Sequence, residues 1–127
     1  MDAVTLTPNL GELCPGQDVV LTCSTTEGST MGWIYNEMVN IGDGFLIPFD
    51  AINTTQDDVV SGFMFSAVLT SQTPFVSKLS FRADAAMNGH NVSCRVGISL
   101  SGGGVNLVDT AQTLQIAQIG SFWFMVI

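Results

Sequence analysis

Short apolar runs that alternate with period 2, and never develop a helical stripe, constrain this chain more than any other feature. Successive side chains of an extended strand point to opposite faces, so a strand packed on one side shows apolar and polar residues in turn. Val19, Leu21 and Cys23 share one parity, as do Leu79 and Phe81, and as do Val92, Cys94 and Val96. Thr22, Lys78, Ser80, Arg82, Asn91, Ser93 and Arg95 fall on the opposite, wetter side, with Val20 as the exception. The pattern predicts an all-β chain with strands at Val4–Thr7, Val19–Ser24, Met31–Tyr35, a short edge strand Val39–Ile41, then Phe63–Thr70, Ser77–Ala83, Val92–Ile98 and Val105–Ile116.

Turn chemistry falls between these runs: Pro15-Gly16, Gly42-Asp43-Gly44 and the tip Ser101-Gly102-Gly103-Gly104. No internal repeat is present. The stretch from Phe45 to Gly62, with Pro48 and the polar run Asn53 to Asp58, is read as a loop. A chain of 127 residues has room for one domain and one core. Residues 1–117 are assigned to that domain and residues 118–127 to an apolar tail.

Charge narrows the partners. Three Lys+Arg against 11 Asp+Glu give a net charge of -8, and Lys78, Arg82 and Arg95 cannot form the basic patch that phosphate backbones or anionic membrane surfaces require. No nucleic-acid partner is expected. No basic start followed by an apolar stretch precedes Val4, so no signal peptide is read here.

The search for chemistry finds little to build on. His90 is the sole candidate base of neutral pKa, and a solvated turn explains it. Asp57-Asp58 is read as a solvated loop, because adjacent residues on an extended chain point apart and make poor paired acids or calcium ligands. Ser101 to Gly104 lacks the Lys-Ser/Thr and helix of a phosphate loop. Three Cys and one His do not supply a metal set. The expectation is therefore no enzyme, no cofactor and no metal. Asn53-Thr54-Thr55 and Asn91-Val92-Ser93 match the N-glycosylation acceptor, with Asn53 in the polar run and Asn91 pointing away from the core by strand parity.

Cys23 lies in Val-Val-Leu-Thr-Cys, Trp33 follows ten positions later, and Cys94 closes Asn-Gly-His-Asn-Val-Ser-Cys, 71 positions beyond Cys23. With the strand pattern, this spacing resembles the immunoglobulin superfamily over about residues 4 to 116. The resemblance implies an immunoglobulin-like, two-sheet antiparallel β-sandwich, a Cys23–Cys94 disulfide between its sheets, and a core of Trp33, Leu21, Leu79, Phe81 and Val92. The residues alone are also compatible with two buried thiols, as a reducing compartment would give. A disulfide closing a loop of about seventy residues contributes about 4 kcal/mol in the chain-entropy model. Val92 stands where antibody-type domains carry a Tyr, which removes the tyrosine corner. The run from Ser77 to Cys94, with Asn88-Gly89 ahead of Val92-Ser93-Cys94, is similar to adhesion-type domains of the nectin and nephrin sort. I-set, C2-set and V-like patterns all remain open.

Cys14, in Leu-Cys-Pro-Gly-Gln, is left over under that pairing. It either pairs with a Cys outside this sequence, links two chains, or stays reduced at the sandwich edge. The tail ends in six apolar residues, Phe122 to Ile127. Six cannot span a bilayer, but a segment after residue 121 could be the start of a membrane helix with Trp123 at the interface; an extra strand or packed tail are the other readings. The resemblance implies an extracellular or cell-surface recognition module that binds a protein ligand or homophilic partner, through Thr25 to Thr30, Phe45 to Asp58, Ser99 to Val105 or a sheet face. The alternative is a structural spacer with no ligand.

Overall fold

A computed structural model describes residues 4–26, 30–36, 39–41, 55–72, 74–99 and 101–118. The described strands are β1 (Thr5–Thr7), β2 (Asp18–Thr25), β3 (Thr30–Tyr35), β4 (Val39–Ile41), β5 (Thr55–Val60), β6 (Phe63–Gln72), β7 (Phe75–Arg82), β8 (Asn91–Ser99) and β9 (Val105–Thr113). They form two sheets, ordered β1-β2-β7-β6-β5 and β4-β3-β8-β9. Every pairing within them is antiparallel. The chain is a two-sheet antiparallel β-sandwich, compatible with an immunoglobulin-like fold.

Register turns the period-2 alternation into a core. Val19, Phe81 and Phe65 stand in one cross-strand row of the first sheet, Leu21, Leu79 and Ala67 in the next, and Cys23, Ser77 and Leu69 in a third. All nine are buried. From the second sheet Met31 faces Val96, Trp33 faces Cys94 and Tyr35 faces Val92, again all buried. The two inner faces meet as packed layers, where cross-strand apolar pairs do most of the stabilising.

A disulfide between Cys23 on β2 and Cys94 on β8 crosses the interior, with the Cα atoms 6.3 Å apart. Trp33 lies beside it. Its backbone pairs with Cys94, and its indole Nε1 donates to Ser77 Oγ at 3.0 Å, on the residue opposite Cys23. Ser77 Oγ in turn donates to the Val68 carbonyl at 3.0 Å. The Trp side chain thus runs between the same two rows that the disulfide joins, and the small residue at 77 makes room for it and satisfies its N–H.

The segment after β1 changes sheets. Leu13 forms a parallel bridge with Ile116, donating its N–H to the Gln115 carbonyl and accepting from the Ala117 N–H, both at 2.8 Å. A turn at Pro15-Gly16, with Gly16 at φ 87, then delivers the chain to β2. That positive φ suits glycine.

Most strand ends lie within one or two residues of expectation, and two differences are larger. β5 occupies part of the polar run read as a loop, so Asp57 and Asp58 lie on a strand at the sheet edge. Its alternation is hidden because an edge strand needs little apolar surface: backbone pairing to β6 holds it, Ser66 Oγ donates to Asp57 Oδ1 at 2.7 Å, and charge at an edge opposes stray pairing. β9 ends at Thr113 rather than Ile116. Leu114 and Ile116 are apolar because they are buried at the end of the sandwich, where Asn88 Oδ1 accepts from the Ile116 N–H at 2.8 Å.

Candidate recognition surface

Antiparallel pairing fixes which loops meet. Thr30, at the start of β3, pairs with Gly97 near the end of β8, so the β2–β3 connection and the β8–β9 hairpin share one end of the sandwich. The hairpin tip Ser101 to Gly104 is exposed, with Gly103 at φ 91 and Gly104 at φ 86. Two successive positive φ values need residues without a Cβ. Next to this tip Leu107 is 60% exposed, an apolar side chain on an edge strand. At the neighbouring connection Thr26 is exposed while Thr25 is buried. Residues 27–29 lie outside the described residues, as do 45–54. The remaining part of the predicted contact region Phe45 to Asp58, Thr55 to Asp58, belongs to the other sheet and is not brought to the hairpin.

The outer face of the second sheet carries a groove of about 310 Å³ lined by Ile34, Asn91, Ser93, Arg95, Asp109 and Ala111. Cross-strand rows explain it: Ala111, Ser93 and Ile34 form one, and Asp109, Arg95 and Gly32 the next. Small side chains leave a depression, with Ile34 and Ser93 only 4% and 7% exposed at its floor. Arg95 forms a fork to Asp109, Nε to Oδ1 at 2.7 Å and Nη2 to Oδ2 at 2.9 Å. These hydrogen bonds hold the Asp109 carboxyl below its usual pKa, against partial burial that works the other way, and push the Arg95 guanidinium up. Parity places Asn91 on this face; it is half-buried at the start of β8.

Inside the sandwich, the expectation for His90 is corrected. His90 is half-buried, and its Nδ1 lies 2.7 Å from the Tyr35 hydroxyl with the rings edge to face. Burial, and then the negative charge of Asp84, raise the Tyr35 pKa. Tyr35, Ser77, Leu107 and Asp109 were not singled out from sequence. A signal existed only for Tyr35, the single tyrosine of the chain, two positions after Trp33.

Cys14 is exposed and outside the disulfide, in a turn where its N–H donates to Gln17 Oε1 and its carbonyl accepts from the Gln17 N–H. Asn53, Gly42 to Gly44 and residues 119–127 lie outside the described residues. Among the described residues no three His, Cys, Asp or Glu side chains gather as metal ligands, and no helix is long and apolar enough to cross a membrane. No protein-family model and no curated protein matches the chain.

Proposed function

We propose that this chain is an immunoglobulin-superfamily recognition module that works outside the cell and binds a protein partner through the end formed by the β2–β3 connection and the β8–β9 hairpin. The observation that carries this reading is the exposed Ser101–Gly104 tip beside the 60% exposed Leu107. An apolar side chain next to a loop on a braced sheet is the arrangement in which a rigid scaffold presents variable contacts. The buried disulfide supports an oxidising compartment, and the strand order supports the family.

The test uses the folded domain, tetramerised and screened against an array of ectodomains that includes the domain itself. A hit is then titrated with wild type and with Leu107→Asp. Loss of affinity of at least about tenfold, about 1.4 kcal/mol, is expected for the variant. A partner that binds both proteins equally rules out this end as the contact. Absence of any partner at micromolar concentration leaves the spacer reading in its place.

A further inference from the structure

We propose that the groove on the outer face of the second sheet is the seat of the chain's own N-linked glycan, attached at Asn91, whose two core sugars lie along β8 toward Arg95 and Asp109. The inference rests on the proposed passage through a secretory pathway, and it adds a named occupant for the part of the outer face that lies beyond Leu107, in the rows of Asp109 and Ala111.

Three observations lead there. Asn91, Ser93 and Arg95 share the outer parity of β8, so the sequon sits at one end of the groove and the ion pair at the other. Four residues of strand separate them by about 13 Å, a span of the order of two pyranose rings joined end to end. The lining is amphipathic in the way a sugar requires: Ile34 and Ala111 offer apolar surface to ring C–H groups, and the Arg95–Asp109 fork offers donors and acceptors to hydroxyls. Charge favours a neutral occupant, because Arg95 is already paired and the chain carries a net charge of -8.

The attachment step balances with one co-reactant, an oligosaccharide carried on a polyprenyl diphosphate. Asn91 Nδ2 attacks sugar C1, the C1–O bond to the diphosphate breaks, Nδ2 gives up one proton, and polyprenyl diphosphate leaves. The Ser93 hydroxyl that completes the sequon is on a residue only 7% exposed in the fold. Transfer therefore precedes the closing of β3 and β9 on β8, and the folded, unmodified domain is not an acceptor.

The experiment expresses the Asn53→Gln chain in secretory cells restricted to high-mannose glycans, alongside Asn91→Gln and Ser93→Ala versions. Intact mass before and after amidase treatment reads attachment. An endoglycosidase that cuts between the two core sugars reads seating, on the native protein and on the glycopeptide released by proteolysis. The native protein should be cut at least about tenfold more slowly than the glycopeptide, and an Arg95→Ala/Asp109→Ala double variant should recover most of that difference. An Ala111→Trp variant, which fills the groove while keeping both charged side chains, should do the same. Secreted, oxidised protein without glycan at Asn91 overturns the inference and leaves the recognition reading standing. Glycan that is cut at the glycopeptide rate, or as slowly in both variants as in wild type, overturns the seat. Failure of the chain to be exported with its disulfide overturns the reading and the inference together.

Discussion

Ser77→Ala isolates the polar contact at the centre of the core. Ser77 is fully buried, and its hydroxyl accepts from the Trp33 indole while donating to the Val68 carbonyl. Removing the oxygen takes the acceptor from a buried indole N–H and one donor from a carbonyl that belongs to the sheet. Each stranded buried group costs about 1–3 kcal/mol, and the indole counts in full because Trp33 is 0% exposed, so about 2–3 kcal/mol is expected for the variant. For a domain of this size that lowers Tm by about 10 °C.

Trp33→Phe separates the hydrogen bond from packing. It removes the N–H and leaves a cavity, so alone it costs more, about 3 kcal/mol. In the Trp33→Phe/Ser77→Ala double variant the stranded donor no longer exists, and the two losses should sum to about 1–2 kcal/mol less than the separate values. Urea unfolding followed by far-UV circular dichroism under oxidising conditions gives all three numbers, with m unchanged. A Ser77→Ala cost under about 0.5 kcal/mol, or strict additivity in the cycle, would refute the claim that this hydroxyl satisfies the indole.

Removing the disulfide by Cys23→Ala/Cys94→Ala should cost about 4 kcal/mol or more at 25 °C in the same assay, and before reduction only Cys14 should react with an alkylating reagent. Arg95→Ala should cost about 0.5 kcal/mol, since the pair is nearly half exposed. Because Asp109 is held below its usual pKa, stability from this pair is present above the ordinary carboxylate range and fades as pH falls through the lowered value; the variant should flatten that acid limb. Tyr35 titrates above its usual range, so its contribution is complete below about pH 10 and is lost as pH rises through the raised value. Tyr35→Phe should remove that alkaline loss and cost about 1–2 kcal/mol at neutral pH, measured by thermal melts across pH.

Parity gave the faces of β2, β7 and β8 because each packs one side on the other sheet and leaves the other side wetter. It gave faces without depth. Ser93 belongs to the outer side as expected, yet it is buried, because Ile34, Ala111 and Asp109 stand around it from strands 16 and more positions away in sequence, with Arg95 beside it on β8. β5 was illegible for the opposite reason. Its side chains are largely polar on both sides, and its place is set by backbone pairing to β6, which leaves no mark on composition. The candidate surface was legible as a glycine-rich tip and a sequon, but Leu107 gave no warning of its exposure: on a half-buried strand an apolar residue is ordinarily an inward one.

Val92 shows how a missing contact can be supplied from another strand. With valine at that position no hydroxyl rises from β8 to tie the sandwich to the turn before it, and from sequence the tie is absent. In the fold Val92 pairs with Tyr35, and the Tyr35 hydroxyl reaches His90, two residues upstream of Val92. The same turn is fixed by backbone bonds from Gly89 to the Leu114 carbonyl and from Leu114 to the His90 carbonyl. A buried phenol needs a partner, and the half-buried imidazole at the rim of the turn provides one while leaving room for the small Val92 side chain in the packed row. The tie between sheet and turn is therefore made from β3 rather than β8, and its two halves lie 55 residues apart in the chain, a separation at which only the register of β3 against β8 brings them together.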